Sequence, residues 1–211
     1  MWHMIKVYTI WCLVITFILS FCITKITHAT YISGHGDIGA FTGDFNYDII
    51  NDSEAIISID LENTSNRYGY LTGLAFLFPT ELIVTNFNSD GSNKFKQLSS
   101  PINVQPFGKD WGLGASTFKS WEGGGKPSYG IATNNSTNFT FSIFGDVNDY
   151  NEQYFINNNS FVTRFRGFTG GGSDKVSGGG AQVPEPITLV LMGTGLLYLS
   201  IRRRKHNGNN R

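Results

Sequence analysis

Apolar and polar residues alternate singly through much of the middle of the chain. Phe41, Phe45, Tyr47 and Ile49 fall on one side of an extended segment, and Thr42, Asp44, Asn46 and Asp48 fall on the other. Ile57, Ile59 and Leu61 alternate with Ser58, Asp60 and Glu62, and Phe139, Phe141 and Ile143 alternate with Thr140 and Ser142. A period of two is the signature of a strand with one face buried and one in water. Residues 70–78 (YLTGLAFLF) are apolar on both sides and predict a central strand; residues 82–87 predict another after Pro79. Residues 160–168 (SFVTRFRGF) read as the last strand, with Arg164 and Arg166 on the same side. Asn63-Thr64-Ser65-Asn66, Ser89-Asp90-Gly91-Ser92, Gly123-Gly124-Gly125 and Asn157-Asn158-Asn159 punctuate these runs as turns. The pattern predicts an all-β domain over residues 30–168, an antiparallel β-sandwich or jelly roll around one core. It shows neither a helical stripe nor a solenoid or propeller repeat.

Two longer apolar runs stand outside this rhythm. Residues 7–23 (VYTIWCLVITFILSFCI) follow Lys6 and precede Thr27-His28-Ala29, with small side chains at the first and third of those three positions. A positive start, an apolar stretch and a small-residue site describe an export signal. The expectation is a signal helix in residues 1–29, handled by the Sec translocon and cut by signal peptidase between Ala29 and Thr30. Phe21 before Cys22 argues against a lipid-modified cysteine, which wants a small neighbour. The second run, residues 187–201 (ITLVLMGTGLLYLSI), is uncharged. Fifteen helical residues rise about 22 Å against a hydrocarbon core of about 30 Å. Flanking arginines that snorkel extend the effective length, so the run predicts a single transmembrane helix. Between domain and helix, the Gly- and Ser-rich residues 169–182 read as a flexible spacer.

Charge sharpens this division. The chain has 211 residues with 16 Lys and Arg against 16 Asp and Glu. That balance is uneven: residues 1–29 carry +2, residues 30–182 carry −6 and residues 183–211 carry +4. An acidic middle without a basic surplus excludes a nucleic-acid binder, which must neutralise phosphates. Arg202, Arg203, Arg204 and Lys205 directly follow the second apolar run and should stay on the cytoplasmic side, leaving residues 30–182 outside. Both cysteines, Cys12 and Cys22, lie in the signal. A chain without its signal therefore has no disulfide, thiolate metal site or cysteine nucleophile.

The C-terminal order of parts is specific. Val183-Pro184-Glu185-Pro186 is a stiff extended tetrapeptide, followed by the apolar run with its Gly193-Thr194-Gly195 centre and then the basic cluster. This arrangement over residues 183–211 resembles the PEP-CTERM sorting signal of Gram-negative bacteria. Arg-Phe-Arg-Gly-Phe followed by Gly-Ser-Asp-Lys-Val also resembles the end of ectodomains that recur among PEP-CTERM proteins. The resemblance implies an exosortase, a membrane protease that cleaves near the Pro-Glu-Pro box, as the processing partner. It further implies an inner-membrane intermediate with a periplasmic domain, then a cell-surface or extracellular product associated with exopolysaccharide and biofilm.

Chemistry in the middle domain is sparse. His35 is its only histidine and lies near the expected new terminus, so neither a usual zinc site nor a Ser-His-Asp triad is readily built. The pairs Asp44 with Asp48 and Asp48 with Asp52 could serve glycoside hydrolysis at the right separation, but their alternation reads more simply as a solvated face. The oxygen-rich stretch from Asp146 to Asn151 lacks the Gly and distant Glu of an EF-hand. Trp111 and Trp121, near Gly-rich turns, are candidate sugar contacts if exposed and core residues if buried. The expectation is a non-enzymatic exported surface or matrix protein without metal or cofactor. The alternative is a carbohydrate-binding module using Trp111 or Trp121, with a glycoside hydrolase behind it.

Overall fold

A computed structural model describes residues 29–90, 94–98, 100–108, 111–157, 159–180 and Thr194. The two long apolar runs, the sorting tetrapeptide and the basic cluster lie outside these residues. Among the described residues no helix is long and apolar enough to cross a membrane.

The alternating segments form strands as expected. β1 (Thr30–His35), β2 (Ala40–Asn51) and β3 (Glu54–Asn63) make a meander. β9 (Ser136–Phe144) lies against β3, and β5 (Ile83–Ser89) against β9. Ile57, Ile59, Leu61, Phe139, Phe141 and Ile143 all point into the core. The continuous apolar run is β4 (Tyr70–Phe76), flanked by β10 (Phe161–Arg166) and β7 (Leu113–Ser116). It is buried on both faces from Leu71 onward. β6 (Lys96–Leu98) pairs with β7, and the short β8 (Ile131–Ala132) with β4. Within residues 29–180 the described helix is limited to 3-10 turns at Pro127–Tyr129 and Val147–Asp149 and to α1 (Glu152–Ile156), capped by Asn151 Oδ1 accepting from the Tyr154 N–H at 3.2 Å.

With β11 (Ser173–Gly180), these strands form one sheet in the order β5-β9-β3-β2-β1-β11-β10-β4-β7-β6, and every ladder among the described residues is antiparallel. The sheet folds over on itself into a nearly closed barrel. Phe76 of β4 meets Phe45 of β2 edge-on at 5.9 Å, Phe141 of β9 at 5.7 Å, and Phe161 of β10 in parallel at 6.0 Å. Phe41 reaches Phe161 at 5.5 Å. Aromatic contacts across the interior hold the two halves face to face.

Two expectations need correction. Residues 173–180, read as part of a flexible spacer, are β11 (Ser173–Gly180), and the domain runs past residue 168 to residue 180. Nor is 160–168 the last strand: β11 follows it and sits between β10 and β1, joining the halves. Its glycines serve close approach, not flexibility. A Cβ at Gly178 would stand 2.1 Å from the Ser33 carbonyl oxygen, and only glycine avoids that clash. Asp174 adds side-chain bonds: its Oδ2 accepts the N–H groups of Ile38 at 3.0 Å and Gly39 at 2.9 Å. The second correction concerns Ile49. It was expected inward, but the β2–β3 hairpin carries it beyond the core, where it is exposed.

Candidate functional site

A concavity lies where the chain crosses from one half of the barrel to the other. Asn63, at the end of β3, is fully buried and organises that crossing. Its Nδ2 donates to the carbonyls of Ile131 at 2.9 Å and Gly69 at 3.3 Å, while its Oδ1 accepts from Ser65 Oγ at 2.7 Å. The Asn63 carbonyl accepts the N–H of Asn134, which adopts a left-handed φ of 63°; asparagine tolerates that region better than most residues. A turn thus fixed from β8 into β9 leaves a cleft of about 770 Å³ beside it.

Four stretches of chain line the cleft: Asp60 of β3, Tyr70 of β4, Asp90 after β5, and residues from Ser128 to Asn138. Asp60 faces Asn138 directly across the β3–β9 ladder, and the Asp90 N–H donates to the Asn138 carbonyl at 2.9 Å. The two carboxylates are therefore brought to one side by strand register. Tyr70 is oriented by Tyr68, with their hydroxyls 2.9 Å apart and their rings edge-on at 5.5 Å. That hydrogen bond, then burial, then the neighbouring phenol raise the Tyr70 pKa above the ordinary phenol value. The lining offers carboxylates, carboxamides, hydroxyls and one ring face, but no Lys or Arg. Such a surface can exchange many hydrogen bonds with a polyhydroxylated neutral ligand and repels an anionic one.

The residues singled out in the sequence fare differently. Trp111 and Trp121 are 5% and 3% exposed, so neither offers a face to a sugar ring. They fill a second small core on the outside of β4 and β10, with Ala75, Leu98, Ile102, Val104 and Val162. The Trp111 Nε1–H donates to the Phe107 carbonyl at 3.3 Å. Beside Trp121, the Arg164 guanidinium donates to the Trp121 carbonyl and lies 3.6 Å from the Glu122 carboxylate, which Lys175 approaches to 3.3 Å. Burial, partly offset by Glu122, lowers the Arg164 pKa from its ordinary value. Asp44 and Asp48 sit on the outer face of β2 as expected, and His35 is exposed at the end of β1. The stretch from Asp146 to Asn151 is a 3-10 turn with Val147 in the core and Asn151 capping α1. Among the described residues no group of three or more His, Cys, Asp or Glu could hold a metal ion. Thr30 opens β1, one residue after Ala29.

Sequence reasoning missed the cleft because its residues come from four separated turns and strand ends and form no contiguous motif. The one available signal was the buried-type pairing of Asn63 with Ser65 in a turn otherwise read as simple punctuation.

Comparison with known families assigns the other end of the chain. Residues 182–205 match the PEP-CTERM protein-sorting motif. Comparison with curated proteins gives no match. The motif implies an exported protein with a membrane-anchored C-terminal sorting signal and exosortase as its processing partner.

Proposed function

We propose that this chain is a non-enzymatic surface or extracellular-matrix protein that associates with exopolysaccharide in a biofilm. The observation that carries this reading is the sorting motif at residues 182–205, which begins two residues after Gly180 at the end of the last described strand. Signal peptidase frees the chain after Ala29, and Thr30 immediately enters β1, which supports that cleavage point. The domain then stands in the periplasm, held at the inner membrane by residues 187–201 and by Arg202, Arg203, Arg204 and Lys205. Exosortase acts near Val183-Pro184-Glu185-Pro186, and the domain passes to the cell surface or beyond.

Replacing Pro184, Glu185 and Pro186 by alanine tests the processing step. Full-length chain should accumulate in the membrane fraction, and the intact mass of any released form should vanish. Release at an unchanged rate and mass would rule the sorting step out.

A second reading, carbohydrate binding, is favoured by the polar cleft rather than by the tryptophans. Each carboxylate that accepts a sugar hydroxyl contributes on the order of 1.5–3 kcal/mol as a charge-assisted hydrogen bond. Asp60→Asn together with Asp90→Asn should therefore weaken binding to neutral exopolysaccharide at least about tenfold, with the thermal midpoint little changed. Equal binding by the double variant would remove the cleft from the account. If reducing ends appear when wild type meets the polysaccharide, and not with the double variant, the protein is a hydrolase instead.

A further inference from the structure

The polar cleft lies at one end of the barrel; the other end has a different character. Gly180, the last residue of β11, pairs with Ile32 near the start of β1. A Cβ there would meet Ile156 of α1 at 2.7 Å and Thr30 at 3.1 Å. The chain therefore leaves the domain beside α1 and the first residue of β1.

Large apolar side chains gather around this exit. Ile49 and Ile50 extend the β2–β3 hairpin beyond Phe45, the residue opposite Thr30. Ile83 at the start of β5 faces Phe144 at the end of β9. Leu77 follows β4, its N–H bonded to the Ser160 carbonyl at 3.1 Å, and Tyr154 projects from α1. These six are between 42% and 60% exposed, and they are the majority of the ten exposed large apolar residues in the described chain. An apolar set concentrated at one end of a domain marks a contact surface.

The length of chain beyond Gly180 says what that surface meets. Six residues, 181–186, separate it from the apolar run at 187. Fully extended, that connection reaches at most about 25 Å, and the lipid headgroup layer occupies part of it. While residues 187–201 are in the membrane, the exit end of the barrel is confined to the membrane surface. Confinement raises the effective concentration of the two surfaces, so weak contacts suffice.

We propose that the Ile49, Ile50, Leu77, Ile83, Phe144 and Tyr154 end of the barrel docks onto the lipid bilayer while the chain is anchored, directing the polar cleft away from the membrane. The charges select the lipid. Asp48, Asp52, Glu54, Glu81, Asp146, Asp149 and Glu152 belong to the same segments, and none of those segments contains Lys or Arg. Carboxylates and no cations in the segments that carry the apolar side chains suit zwitterionic headgroups, whose outermost charge is an ammonium, and are repelled by anionic lipids.

The test uses residues 30–211, the form left by signal cleavage, which contains no cysteine. Single cysteines replace Ile50, Tyr154 or, at the far end, Asn66, and carry an environment-sensitive fluorophore. Each protein is reconstituted through its own C-terminal segment into phosphatidylethanolamine–phosphatidylcholine vesicles containing a lipid-borne quencher. Quenching at positions 50 and 154 should exceed that at 66 at least about threefold, and should fall when phosphatidylglycerol replaces half the lipid. Adding Ile83→Ser and Phe144→Ser should bring position 154 down to the level of position 66. Equal quenching at all three positions overturns the proposal. So does shielding of 50 and 154 that occurs in native membranes and not in protein-free vesicles, since the surface then meets a protein. Neither result depends on whether the cleft binds a glycan or exosortase cuts the chain.

Discussion

A chain ending at Gly172 should fail to fold. It lacks β11, and with it the strand ladder that joins the two halves of the sheet among the described residues. The six β10 residues from Phe161 to Arg166 lose their partners from Gly178 to Ser173, and β1 loses Gly179 and Gly180. Both freed strands become edges whose N–H and C=O groups face water or another chain. The N–H groups of Ile38 and Gly39 lose the Asp174 carboxylate, and Val176 leaves the core. A domain of this kind is stable by only about 5–15 kcal/mol, and losing a central strand exceeds that margin. Circular dichroism should show no cooperative thermal transition for the truncated chain, and amide exchange should be fast throughout. A native β spectrum with an unchanged midpoint would mean that residues 173–180 are a dispensable spacer after all.

Phe76→Ala should be the most damaging of the single core truncations. Phe76 is fully buried and touches Phe45 and Phe141 from one half of the barrel and Phe161 from its own half. Its removal deletes transfer energy and leaves a cavity that rigid strands on every side cannot close. Buried Phe→Ala replacements cost about 3–5 kcal/mol, so the denaturant midpoint should fall steeply while the m-value stays the same. Phe144→Ala, on an exposed ring at the barrel end, provides the comparison and should cost about 0.5 kcal/mol or less. If Phe76→Ala costs less than about 1 kcal/mol, the halves are not held together at this residue.

What the sequence disclosed followed from how much apolar surface each strand buries. β3 and β9 put Ile57, Ile59, Leu61, Phe139, Phe141 and Ile143 inward and polar residues outward, so their period was plain. β4 was recognisable as central because it is covered on both faces, by the main core and by Trp121 over Gly73. β11 was hidden for the opposite reason. In SDKVSGGG only Val176 enters the core, and the strand contributes mainly backbone hydrogen bonds, which leave no trace in side-chain pattern. The tryptophans were equally opaque, since two Trp ten residues apart suit a sugar platform or an outer core, and only the layer formed with Ala75 and Val162 decides between them. At the C-terminal end, chemistry is written in order along the chain, and there the motif could be read directly.

The position of β11 also sets the order of events during export. In export that begins from the N-terminus, β1 would be the first part of the domain to cross, and a partner strand, β11, is the last of the described strands. Closing so long a loop is entropically slow and cannot begin until nearly the whole chain has crossed. The chain thus stays threadable for as long as it is being threaded. Folding should therefore finish only after Gly180 has crossed, with the sorting motif following directly behind it.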